Sequence, residues 1–283
     1  TGPAVVRVRP GVYSPSTTGE TFPLRIPEGV TLESEEGPGS TAIDAGGSGP
    51  VILFDGVEGA AVAGFTIRGG NAERGGGIGV FNASAVIRNN VIEDNRASVD
   101  GAAIYVTGDG EVAIVNNLVN RSARSGESDV HGVLIEDASP FVVNNTVVNG
   151  DGNGILTRGS GLPSIQNNIL AGNAGRGICH LADDARNATL AFNVFHGNAI
   201  AAVLIRGEDG GMNITGVEAG ALSPDDAISD NLDADPLFVD DSDFSLRSDS
   251  PAFHAGNPDA GFSDPDGMRN TIGHTGGPFA PEL

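Results

Sequence analysis

The sequence predicts an all-β solenoid, a chain wound repeatedly through one short supersecondary unit, on three observations. The first is a paired asparagine that recurs in mid-chain: Asn89-Asn90, Asn116-Asn117, Asn144-Asn145, Asn167-Asn168, and then Phe192-Asn193 with the first member replaced. The second member of the pair steps by 27, 28, 23 and 25 residues. The second observation is that short apolar strands flank each pair. Ala85-Val86-Ile87, Val112 to Val115, Phe141-Val142-Val143, Ser164-Ile165 and Leu190-Ala191-Phe192 precede it, and strands beginning at Val91, Leu118, Thr146, Ile169 and Val194 follow. The third is another strand with its own period, at Ile78, Ile104, Val133, Ile155, Ile178 and Val203, each preceded by Gly or Ala. Strands this short, rich in Val and Ile and joined by Gly- and Asn-rich corners, exclude an α-solenoid.

In such a coil each rung hydrogen-bonds to the next at about 4.8 Å along the axis, so aligned residues stack in columns inside the tube. A stacked Ile or Val leaves water, which stabilises by about 1.5–3 kcal/mol per side chain. Asparagine suits a sharp internal bend, because it tolerates the left-handed backbone and its amide both donates and accepts. The pattern therefore predicts an inward ladder of Asn90, Asn117, Asn145, Asn168 and Asn193. Asn144, which also begins an Asn-x-Thr sequon, is expected to point into this ladder.

Residues 1–60 read as opening strands and an N-terminal cap, with strands near Val5–Val8, Leu24–Ile26 and Val30–Leu32. Residues 61–217 read as the coils. From 218 to 283 the period disappears and Asp becomes dense, from Asp225 to Asp243. A solenoid end exposes an unpaired rung and needs a cover. This stretch has too few apolar residues for a core of its own. It is expected to cap the coils and lie along the tube, anchored by Leu237, Phe238, Phe244, Leu246 and Phe253. The whole chain, 1–283, is then one domain.

If the Ile78 column points inward, the next residue of each strand points outward. That column reads Gly79, Tyr105, Leu134, Leu156, Cys179 and Leu204. It is too apolar for open solvent on an acidic protein. A cover over Leu134 and Leu156 is expected, from the closing segment, a loop or a partner chain.

Acidic residues number 37 against 15 basic ones, all of them Arg, giving a formal charge of −22. Such a chain repels phosphates, which excludes nucleic acid as a partner. The absence of Lys with an excess of Asp fits salt adaptation or a GC-rich genome. Cys179 is the single cysteine, so no intramolecular disulfide forms. No transmembrane run or N-terminal signal segment is visible.

Specific wording adds a resemblance. Gly64-Phe65-Thr66-Ile67-Arg68-Gly69-Gly70, Gly75-Gly76-Gly77-Ile78 and Ile87-Arg88-Asn89-Asn90-Val91-Ile92 resemble the right-handed, single-stranded parallel β-helix proteins of the pectate-lyase-like superfamily. Val5 to Tyr13, with its Pro10-Gly11-Val12-Tyr13 turn, resembles their opening strand. Asp235-Pro236-Leu237-Phe238-Val239, Ser250-Pro251-Ala252 and Asp264-Pro265-Asp266-Gly267 through Gly273 resemble the closing segment of bacterial and archaeal members. The resemblance implies a secreted or cell-surface protein with a polysaccharide or cell-surface glycan as partner. It is specific for fold and weak for activity, because this fold hosts lyases, hydrolases, epimerases and adhesins. The Arg-x-Lys segment of polygalacturonases, the Asp-Pro-His-Glu box of alginate epimerases and the Gly-Arg-Pro-Trp segment of pectin methylesterases are all missing.

Chemistry on a solenoid sits on its outside. The corner ahead of the third strand is read as short in most turns and swollen once, from Asn120 to His131, with Glu93, Asp94, Arg96, Asp100 and Asp151 in neighbouring corners. Glu136 and Arg158 fall on adjacent coils. Arg124, Arg158 and His131 are the candidate catalytic residues, His131 as a base near neutral pH. Asp100, Arg121 and Glu136 are candidates for substrate binding. Asp129, Asp151, Asp264 and Asp266 are candidate Ca²⁺ ligands, the last two spaced ahead of Gly267 as a tight turn around a hard cation requires. Asp183-Asp184 and Glu208-Asp209 are weaker candidates for the same ion. By the resemblance, Ca²⁺ bridges to a uronate carboxylate and an Arg assists removal of the α-proton, a lyase-type β-elimination. A charged loop on an acidic protein is also what a solvated surface with ion pairs looks like. Two functions stay open: a protein that binds or cleaves an anionic polysaccharide, and a non-catalytic adhesin-like β-helix. His180 is expected in the core.

Overall fold

The computed structural model describes residues 4–126, 130–182, 188–207, 210–214 and 228–280. The chain is a right-handed parallel β-helix of three nine-stranded sheets. The first sheet gathers the strands ahead of each asparagine pair, from Ala4–Val8 to Ile228–Ser229. The second gathers those after it, from Gly11–Tyr13 to Leu232–Asp233. The third begins at Leu24–Arg25 and ends on Ala201–Gly207, whose outer edge is closed by the antiparallel strand Gly210–Ile214. The opening residues are themselves coil, since Ala4 pairs with Val30 and Gly11 with Thr41 in parallel.

Register follows the sequence columns. Ile78, Ile104, Val133, Ile155, Ile178 and Val203 pair in one row of the third sheet, and each is at most 3% exposed. His180 lies two residues along, inward and buried, with its Nδ1 on the Thr157 hydroxyl.

The asparagine ladder is continuous. Asn90 Nδ2 donates to Asn117 Oδ1 at 3.0 Å, and Asn117 to Asn145 (3.0 Å), Asn145 to Asn168 (3.1 Å) and Asn168 to Asn193 (3.0 Å) follow. A sixth rung, missed in the sequence, comes from Asp230-Asn231, where Asn193 Nδ2 meets Asn231 Oδ1 at 3.0 Å. Asp230 replaces the first asparagine, and the step widens to 38 residues. The first members, Asn89, Asn116, Asn144, Asn167, Phe192 and Asp230, all have φ between 53° and 56°, the left-handed turn that aims one residue of each pair out and the other in. Asn144 is thus a correction: it is buried but lies outside the ladder.

Its partner is the closing segment. Asn116 Nδ2 donates to the carbonyls of His274 (3.0 Å) and Gly276 (2.6 Å), and Asn144 Nδ2 to those of Thr271 (2.8 Å) and Gly273 (3.1 Å). Asn167 Oδ1 accepts the Asn257 N–H at 2.8 Å. Beneath, Phe244, Ala252 and Ile272 pack on Val148, Ile169, Ala171 and Val194 of the second sheet, with Phe238 and Leu246 alongside. Phe253, expected as an anchor, is 39% exposed, and Ala252 and Ile272 take that place. Among the described residues no helix is long and apolar enough to cross a membrane.

Candidate functional site

The corner ahead of the third sheet swells in three consecutive turns rather than once. Asn71–Arg74, Arg96–Asp100 and Ala123–Arg124 fall inside these corners and form a small sheet of their own, Arg96 pairing with Asn71 on one side and Ala123 on the other. The register slips between Ala97 and Asp100, which sets Asp100 opposite Arg74. Gly101 then turns with φ +62°, and a Cβ there would meet Leu134 Cβ and Tyr105 Cβ, both at 3.2 Å. Only glycine lets this corner close onto the outward apolar column.

That column is covered as expected: Leu134 is 0% exposed, Leu156 and Cys179 4% and Tyr105 5%. The cover over Tyr105 and Leu134 is the glycine corner, while Phe81, Leu181 and Leu204 pack alongside. The closing segment lies on the second sheet instead.

Along the edge of this apolar strip runs a polar network. The Tyr105 hydroxyl donates to Glu136 Oε2 at 2.6 Å, and Arg158 Nε donates to Glu136 Oε1 at 2.7 Å. Arg158 Nη1 stands 3.7 Å from Asp100 Oδ2. Asp100 Oδ1 accepts the backbone N–H groups of Gly101 (2.8 Å) and His131 (3.3 Å). The Arg74 guanidinium lies over the Tyr105 ring, 5.9 Å from its centroid, and Phe81 meets the same ring edge-on at 5.3 Å. Four predicted residues, Asp100, His131, Glu136 and Arg158, therefore converge, and Arg74 and Tyr105 join them.

Environment separates the acids. Burial pushes the Asp100 carboxyl up, against the pull of His131, Arg158 and the two N–H donors. Burial would also raise Glu136, but the bonds from Tyr105 and Arg158 hold it below the usual range. Burial, and then the bond to Glu136, push the Tyr105 phenol up. At neutral pH the pair is a phenol donating to a carboxylate. His131 is buried, and its Nδ1 accepts the Asn153 N–H at 2.9 Å, which occupies the lone pair a base at that nitrogen would use.

The other candidates stand apart. Arg121 binds Asp94 (2.6 and 2.7 Å) and Glu93 (3.0 Å). The Arg124 side chain is exposed, and its backbone N–H donates to Asp151 Oδ2 at 3.3 Å. Asp264 spends its carboxylate on the N–H groups of Thr271 (3.0 Å) and Gly277 (2.6 Å), and Asp266 on that of Met268 (2.9 Å). Asp129, Asp183, Asp184, Glu208 and Asp209 lie outside the described residues. Among the described residues no three His, Cys, Asp or Glu side chains gather as a metal site. Among the described residues, Asp151, Asp264 and Asp266 are therefore not joined by the further carboxylates that a cage of six to eight oxygens around Ca²⁺ draws on.

Cavities of about 410 and 400 Å³ lie along the closing segment, one around His196, Asp235 and Arg247 and one around His254 and Asp264. The polar network lies instead along the outer face of the third sheet, a shelf on which Glu136 and Arg158 are part-exposed while Asp100 and Tyr105 are buried.

Two solved structures are similar to this chain. One is pectate lyase Pel9A, with 13% identity, 97% of this chain and 88% of that one covered, and a TM-score of 0.46. The other is the A-module of the mannuronan C-5 epimerase AlgE6 of Azotobacter vinelandii, with 13% identity, 71% and 70% covered, and a TM-score of 0.36. No curated protein sequence matches the chain. The family model described as the right handed beta helix region matches residues 50–218, the stretch holding the first five rungs of the asparagine ladder and all six shelf residues, and the chain belongs to that family.

Proposed function

We propose that the protein binds an anionic polysaccharide of the uronate class on the shelf of Arg74, Asp100, Tyr105, Glu136 and Arg158, and that Tyr105 and Glu136 carry a β-elimination there. The observation that supports this is the 2.6 Å contact between a phenol kept protonated and a carboxylate kept ionised, beside the Arg74 and Arg158 guanidinium groups on the outer face of the third sheet. A long chain substrate suits a shelf better than a closed pocket. In this reading the Glu136 carboxylate takes the proton from the carbon next to the uronate carboxyl. The electron pair left behind forms the carbon–carbon double bond as the glycosidic oxygen departs. Tyr105 protonates that oxygen, and the hydrogen bond between the two side chains returns the proton from Glu136 to Tyr105. No step runs through calcium.

The test is a panel of polyuronates, assayed by the absorbance of the unsaturated product in the presence of Ca²⁺ and of chelator. Tyr105→Phe and Glu136→Gln should each lower the rate about 10²–10⁴-fold while retaining binding. A second reading, a non-catalytic surface β-helix, is favoured by the closed pairing of Arg158 with Glu136 and Asp100. Glycan binding without product, unchanged by either variant, would select it. A protein that binds none of the panel refutes the glycan reading.

A further inference from the structure

Arg74 stands apart from the other arginines of the coils. Arg25, Arg68, Arg88, Arg121 and Arg158 each carry a carboxylate partner, at 3.2, 2.9, 3.2, 2.6 and 2.7 Å. Arg96 and Arg124 are exposed, as a solvated surface cation is. Arg74 is half-buried, its Nε is shut off from water without a hydrogen-bond partner, and no ion pair or hydrogen bond to its terminal nitrogens is found among the described residues. Its guanidinium meets the face of Tyr105, and its charge helps hold the nearby Glu136 carboxylate ionised without forming an ion pair with it. On a chain of charge −22 with 37 carboxylates, leaving a half-buried guanidinium unpaired is costly unless something else supplies the anion.

The position is also held in place. Arg74 ends the first strand of the corner sheet, and the register slip that sets Asp100 opposite it sends the Asp100 carboxylate to Arg158 and the His131 N–H. The guanidinium rests against the aromatic face of Tyr105, and its terminal N–H groups, which make no hydrogen bond among the described residues, form a fork suited to a planar carboxylate.

We infer that Arg74, braced on Tyr105, is the anion-reading residue of this face and binds the carboxylate of an acidic ligand. It rests on the glycan reading above for the identity of that ligand, and it adds which residue separates acidic from neutral chains. Arg158 is already paired with anions, its Nε bound to Glu136 at 2.7 Å and its Nη1 3.7 Å from Asp100.

Two measurements test it. In wild-type protein, the Arg74 Nε–Hε resonance, protected from solvent, should be visible by NMR near neutral pH. It should shift on titration with free glucuronate or acetate, and not with chloride at equal ionic strength. Calorimetry of acidic and neutral oligosaccharides of equal length should show a preference of at least about tenfold for the acidic ones. Arg74→Gln should abolish this preference while leaving the neutral affinity in place, and Arg74→Lys should keep part of it. A resonance indifferent to carboxylates, or a preference that survives Arg74→Gln, overturns the inference. A wild-type protein that responds to acetate at Arg74 but binds no oligosaccharide overturns the glycan reading alone.

Discussion

At the scale of single residues, the asparagine pair divides its work. Asn145 shows the inward half: its Oδ1 accepts from Asn117 Nδ2 (3.0 Å) and the Asn117 N–H (2.9 Å), while its Nδ2 reaches Ile114 O (2.8 Å), Val143 O (3.1 Å) and Asn168 Oδ1. Asn145→Ala strands several buried polar groups at about 1–3 kcal/mol each, so a loss of about 3–5 kcal/mol is expected in chemical denaturation. A loss below about 1 kcal/mol would show that the ladder is decorative. His274 gives a pH prediction. Burial pushes its imidazole down to about 4, against a small opposing pull from Asp243. Between about pH 6.5 and 4 the unfolded chain takes up a proton that the folded one refuses. Stability from this group is therefore complete above about 6.5 and is lost as pH falls toward 4, by up to about 3 kcal/mol. Burial lowers His180 as well, with the same sign. His274→Gln should flatten the acid limb of a denaturation midpoint plotted against pH. An unchanged limb would put the acid sensitivity elsewhere.

Elements differ in how far the sequence disclosed them. Five ladder rungs were legible because four repeat the same two letters at nearly the same step and the fifth, Phe192-Asn193, keeps the second letter and the step. The sixth was hidden by Asp230 and the 38-residue step, though Asp tolerates the same left-handed turn as Asn. The corners are the opposite case. Residues 69–77 and 94–103 are as irregular in composition as any loop, and only strand pairing shows that they belong with the swollen third corner. The shelf was half legible for the same reason. Asp100, Glu136 and Arg158 stand out by charge, whereas Tyr105 read as one more apolar residue of its column, and Arg74 has no neighbour in sequence to mark it. The closing segment carries its own prediction. Asp264 fastens it to itself through Thr271 and Gly277, so Asp264→Ala should free residues 270–277 to exchange amide hydrogens faster while the coils keep their protection. Equal loosening of the coils would mean that the segment and the helix unfold as one unit.

For the whole molecule, charge is the dominant long-range term. With 37 acidic groups and 15 arginines, 22 negative charges remain uncompensated even with every arginine paired. Salt weakens the surface pairs, each of which contributes no more than about 1 kcal/mol, but it also screens the larger mutual repulsion, over a Debye length that falls from about 10 Å at 0.1 M to about 3 Å at 1 M. The melting temperature should rise by a few degrees between these concentrations. A fall would mean that the paired arginines outweigh the repulsion.

Asn116, Asn144 and Asn167 hold points along one continuous peptide, the stretch from Asn257 to Gly276. That peptide behaves as a tally stick whose notches match successive turns. Duplicating a coil between Asn116 and Asn167 would extend the tube by a rung, about 4.8 Å, while the stick stayed the same length, and the notches would no longer meet. Solenoids are commonly thought free to grow or shrink by whole repeats. Here that freedom is left to the coils N-terminal to Asn116, and the turns spanned by the notches at Asn116, Asn144 and Asn167 are fixed in number.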